Sequence, residues 1–150
     1  MRSIYVASIV LLSLSVPSLS RIGETMDQAV KRYGRVVSHE TIHGGEVYSF
    51  QKNGFHILAH FHSGKIDRIV YNSESRQKLT DEEIATFLKA NNHGHPMNED
   101  LPYIWVGKHV AATYSKWPRD VWHLDIKARS FWHRKIVAKK APEKAKLEGF

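Results

Sequence analysis

Ten histidines and no cysteine in 150 residues make imidazole the first side chain to examine for chemistry. His60-Phe61-His62 spaces two imidazoles two residues apart. In an extended strand that spacing sets them on one face about 7 Å apart, with His56 on the same face. Such a pair can bind Zn²⁺ or Cu²⁺ once a third ligand arrives from a neighbouring strand, because imidazole nitrogen suits both metals. His93-Gly94-His95 repeats the spacing in a segment that reads as a loop. The same residues equally describe a solvated sheet face whose histidines titrate near pH 6.5 and bind no metal.

Other catalytic chemistry finds little support. There is no G-x-S-x-G elbow, and a triad of Ser49, His62 and Asp67 rests on no spacing rule. Glu82 and Glu83 sit where a helix dipole favours acids, which explains them without an acid/base role. The glycines form turn dipeptides instead of a phosphate-cradling loop. Binding is the better-supported class. All four tryptophans, Trp105, Trp117, Trp122 and Trp132, fall in the second half. Trp105, Trp117 and Trp122 are the candidate partner-binding residues, as an exposed aromatic patch on a sheet.

The net charge of +7 is unevenly spread. Residues 21 to 126 hold thirteen Lys/Arg and thirteen Asp/Glu, whereas residues 127 to 150 hold eight against two. The high isoelectric point therefore belongs to the C-terminal end, and nucleic-acid binding by the whole domain does not follow from it. Within that end Arg129, Arg134, Lys135, Lys139 and Lys140 alternate with Phe131, Trp132, Ile136 and Val137. That mixture can attract a polyanion or an anionic membrane surface. It can also close the core as a last strand or helical turn over 131–138, the lysines serving solubility.

The elements that must position these residues are well punctuated. Thr25 and Gln28 have capping-box spacing, Met26, Ala29, Val30 and Tyr33 form one apolar stripe, and Gly34 is the expected stop. Strands are predicted over 35–40, 46–52, 55–62 and 65–71, with turns at Gly44-Gly45, Asn53-Gly54 and Ser63-Gly64. The apolar face of the 55–62 strand is the expected seat of the first helix. A second helix starts at Thr80, boxed by Glu83, and runs to about Asn91. Residues 92–101 read as a loop, followed by strands over 103–106, 109–116 and 121–127. The fold class is therefore α+β, two short helices packed on an antiparallel β-meander sheet. The element order also allows two half-repeats.

The first twenty residues carry an address. Arg2, an apolar run from Ile4 to Val16, and Ser18-Leu19-Ser20 before Arg21 have the form of a secretory signal peptide. The apolar run is shorter than the ~20 residues of a membrane span, and no second one follows. The expected organisation is a signal peptide over 1–20, a single α+β domain over 21–128, and a partly ordered basic tail over 129–150. Without cysteine, an exported chain has neither disulfides nor the lipid anchor of a bacterial lipoprotein. Its expected location is periplasmic or extracellular.

Arg21-Ile22-Gly23-Glu24-Thr25, Arg32-Tyr33-Gly34, Gly44-Gly45, Gly54-Phe55, Gly64-Lys65 and Leu79-Thr80 with Glu82-Glu83-Ile84 carry a resemblance. Across residues 21 to 92 the chain resembles a group of small uncharacterised exported bacterial proteins. More loosely, its element order is similar to the helix-and-meander modules of outer-membrane assembly lipoproteins and secreted β-lactamase inhibitors. That likeness implies a binding or assembly role in the envelope, and it transfers no catalytic residue. The expected function is a non-catalytic interaction module for an envelope or extracellular protein, with His-based metal binding and polyanion or membrane-surface binding through the tail as the alternatives.

Overall fold

The computed structural model describes residues 21–116 and 120–134. The signal segment, Trp117, Lys135, Lys139 and Lys140 lie outside the described residues. Helix α1 (Met26–Tyr33) opens where the sequence places it: the Thr25 hydroxyl accepts from the Gln28 N–H, and the Gln28 side chain accepts from the Thr25 N–H. Gly34 closes it at φ 87°, a conformation that costs glycine little. Four strands follow as a meander: β1 (Ser38–Ile42), β2 (Gly45–Lys52), β3 (Phe55–His62) and β4 (Lys65–Ser73). Helix α2 (Asp81–Asn91), boxed by Thr80 and Glu83, leads into β5 (Asn98–Leu101), β6 (Ile104–Val106), β7 (Val110–Lys116) and β8 (Trp122–Ala128). Residues 129–134 form a third short helical segment.

All eight strands join one antiparallel sheet in the order β1-β2-β3-β4-β8-β7-β6-β5. The two meanders therefore meet along their last strands. Each half is a helix followed by four strands, and several of their landmarks share one offset. Thr25 and Thr80 cap their helices, Phe55 and Val110 begin the third strand of each half, and all lie 55 residues apart. Val70 and Asp125 have the same separation and face each other across the β4–β8 seam, so they mark the local two-fold axis. The half-repeat suggested by element order thus extends to the helix caps, the third strands and the seam, while the first two strands of each half start 60 and 59 residues apart.

Both helices cover the same face. Strand alternation sends Phe50, Ile57, Tyr71, Leu124 and Tyr114 into one buried row, and Ala59, Ile69, Ile126 and Ala112 into the next. Tyr33 of α1 packs on Phe50 of β2, with ring centres 5.2 Å apart. The first helix thus lies over β2, one strand away from the expected seat. Phe87 of α2 stacks on Tyr71 at 4.1 Å and meets Phe55 edge-on. Among the described residues no helix is long and apolar enough to cross a membrane.

Several strand ends shift by one or two residues, and three differences from the sequence reading have a physical cause. The first strand spans Ser38–Ile42, not 35–40, because pairing begins only where Ser38 meets Ser49. The following turn falls on His43-Gly44, and Gly45 already belongs to β2, where a β-carbon would lie 2.2 Å from the Phe61 carbonyl oxygen. The 92–101 loop contains β5, whose Asn-Glu-Asp-Leu sequence has no apolar alternation and becomes a strand only by pairing with β6.

A buried polar side chain fastens the N-terminal segment to both layers. Asn91 is 1% exposed; its oxygen accepts from the Ile22 N–H at 3.2 Å, and its amide donates to the Tyr71 hydroxyl and the Phe87 carbonyl. Asn91→Ala strands these groups in a dry site, so stability should fall by about 2 kcal/mol. Urea unfolding at neutral pH measures this, and a loss below about 0.5 kcal/mol would remove Asn91 from that role.

Candidate functional site

Two regions gather the residues singled out above. The first lies on the face of the sheet opposite α1 and α2. His56, His60 and His62 project there from β3, as strand alternation requires. Cross-strand pairing sets His60, Arg68 and Lys127 in one row across β3, β4 and β8. Between His60 and Phe61 the register shifts, and Asp67 is the additional residue of a β-bulge in β4.

Charges on this face are mutually satisfied. Arg68 donates from Nε and Nη2 to the two oxygens of Asp125 at 2.9 and 3.0 Å, a fork-to-fork pair. Lys127 contacts the same carboxylate at 2.6 Å. Burial pushes the Asp125 carboxyl up, but hydrogen bonds from Arg68 and Lys127 outweigh it and hold the group below the usual carboxylate range. Half-buried His60 moves down to about 4, first through loss of hydration and then through the Arg68 charge. Residues 129–134 lie over this face. The Phe131 ring stands 5.8 Å from the Arg68 guanidinium and 5.9 Å from the Lys127 ammonium, and Arg134 pairs with Asp67. A cleft of about 520 Å³ remains between these residues, the His43-Gly44 turn and the bulge.

The histidines do not form a preassembled metal centre. Among the described residues no three His, Cys, Asp or Glu side chains come together to hold an ion. His62 Nδ1 is engaged with the Gly44 carbonyl at 2.8 Å, His56 approaches Gln51, and His60 stands between two cations. In the second spaced pair, His93 and His95, the His93 ring lies edge-on to His109 at 5.7 Å.

Of the tail cations, the described ones are committed to the domain. Arg129 donates to the Gly107 carbonyl and Arg134 to Asp67. The ordered fold thus continues past Ala128 to at least residue 134, and the segment left open as strand or helical turn is helical as far as it is described.

The second region is an aromatic corner on the helix-bearing face, where the β5–β6 end of the sheet extends beyond α2. Trp105 and Trp122 are both half-buried against the core. Tyr103, 48% exposed, lies 6.0 Å from Tyr114 and 6.0 Å from Trp122, and the Lys78 ammonium stands 4.3 Å above the Trp122 ring. Tyr114 is fixed from behind, its hydroxyl accepting from the Leu79 N–H at 2.6 Å. Beside the corner runs a groove of about 440 Å³ floored by Ile84, Leu88, Met97 and Trp105, with Asp81, Glu99 and Lys89 at its edges.

Sequence reasoning does not reach Tyr103, Lys78 or Asp67. Tyr103 did leave a signal. Leu101-Pro102-Tyr103-Ile104 closes the β5–β6 hairpin, with proline first and Tyr103 at φ 63° second, the position of a type II turn that glycine usually fills. Asp67 left none, because bulges follow from pairing.

No family model matches the chain, and no curated protein sequence does. Among solved structures it is similar to a cysteine-rich secretory protein from Staphylococcus aureus, with a TM-score of 0.48 and 9% identity. That match covers 73% of this chain and 45% of the other.

The two depressed pKa values fix the sign of a pH dependence. Both groups hold their protons less tightly when folded, so their stabilisation is complete above the unfolded pKa and is lost as pH falls through the folded one. For His60 the window runs from about 6.5 down to about 4, and for Asp125 it lies further into acid. Wild type should therefore lose stability relative to His60→Leu between pH 7 and pH 4.5, as read from urea midpoints. Parallel curves for the two proteins would show that His60 is not held neutral.

Proposed function

We propose that this chain is an exported, non-catalytic interaction module that grips a protein partner through the aromatic corner and its groove. Tyr103 carries this reading. A bulky residue at positive φ costs about 1 kcal/mol of backbone strain, and here it keeps an aromatic ring half in solvent beside two half-buried tryptophans. Aromatic side chains that are rigid on one side and exposed on the other are the usual anchors of protein interfaces. The groove supplies an apolar slot for such an anchor, rimmed by Asp81, Glu99 and Lys89. The secretory-type N-terminus supports an envelope or extracellular location for that partner.

Tyr103→Gly separates binding from folding, since glycine accepts the turn conformation while the ring is lost. The variant should melt within a few degrees of wild type and retain a partner from envelope extract at least tenfold less well. Equal capture by both proteins would place the interaction elsewhere.

A further inference from the structure

The cleft on the opposite face has the makings of a second, independent site. Its volume of about 520 Å³ lies in the range of small-molecule pockets, roughly 300–1,000 Å³. One side is apolar, with Ile42 and Phe131, and the other carries His60, His62 and Arg68. Around it three cations, Arg68, Lys127 and Arg134, share two buried carboxylates, Asp125 and Asp67. Among the described residues this cluster holds one positive charge beyond its acids. Strand alternation turns the Glu46 side chain to the helix-bearing face, where it meets His39 at 3.3 Å, so it is not counted with this cluster. Asp125 occupies Nε and Nη2 of Arg68, which leaves the Nη1 edge for another acceptor. His60 makes no side-chain hydrogen bond among the described residues, although it is half-buried between Arg68 and Lys127. A half-buried imidazole without a partner is costly and is relieved by an acceptor that also answers the surplus charge.

We propose that this cleft binds a small organic carboxylate, its apolar part against Phe131 and Ile42 and its charge received by Arg68 and His60. A monoanion matches the surplus, whereas a dianion such as a phosphate monoester would leave a net negative charge partly desolvated. The site is separate from the aromatic corner and does not depend on it.

The test is a nuclear magnetic resonance titration of the full chain with phenylacetate, following the His60, His62 and Phe131 side-chain signals. Phenylacetamide, phenethylammonium and phenyl phosphate serve as matched probes. The expected result is a saturable shift of all three residues by phenylacetate, with the amide at least tenfold weaker and the ammonium inert. His60→Leu and Phe131→Ala should each weaken phenylacetate at least tenfold, while His60→Gln, which keeps a donor, and Tyr103→Gly retain it. No saturable shift up to roughly 10 mM phenylacetate, equal binding of acid and amide, or tighter binding of phenyl phosphate would overturn the proposal.

Discussion

The pairing of β4 with β8 is the contact on which the rest of the molecule depends. Four facing pairs, from Arg68 with Lys127 to Tyr71 with Leu124, join two meanders that would otherwise each end in an apolar edge strand. An uncovered edge of that kind is a template for aggregation. Closing it end to end leaves, among the described residues, β1 and β5 as edges, both short and exposed along their length. Asp125 sits at the two-fold point of the seam and ties its own strand to Arg68 of the other half. Removing one partner from such a network leaves buried charge unmatched, which generally costs about 3–5 kcal/mol.

The seam also divides the molecule by chemistry. Helices α1 and α2 bury the apolar rows on one side. Trp105 on β6 and Trp122 at the start of β8 are only half-buried against that core. On the other side the seam collects charge, because Arg68 and Lys127 share an outward row and Asp125 lies in the next one. Residues 129–134 then lie across that row and turn an open polar surface into a cleft with one apolar wall. A tryptophan patch and a charged cleft thus occur on opposite faces of the same sheet for a single topological reason.

Buried charge is handled throughout by local pairing. Glu24 holds Arg32 beside α1, Asp125 holds Arg68 and Lys127, and Asp67 holds Arg134. With no cysteine to cross-link the chain, these pairs and the continuous apolar core act together. They also qualify the reading of the basic end. Three of its cations, Lys127, Arg129 and Arg134, serve the domain itself, so of the tail cations singled out for a polyanion Lys135, Lys139 and Lys140 are left, outside the described residues.

Much of the fold was legible because its signals are local. Capping boxes at Thr25 and Thr80, glycine turns at Asn53-Gly54 and Ser63-Gly64, and the alternation in Phe55–His62 each follow from the chemistry of a few neighbouring residues. These settled the α+β class, the helix starts and the common face of His56, His60 and His62. Pairing between distant strands decided everything that needed a partner. It made Asn98–Leu101 a strand without an apolar pattern, inserted Asp67 as a bulge, and set His60 between Arg68 and Lys127 instead of beside a third metal ligand. Composition by itself showed where the charge and the tryptophans lie along the chain. Only tertiary structure decided which of them face water, because exposure depends on how far each helix reaches over the sheet.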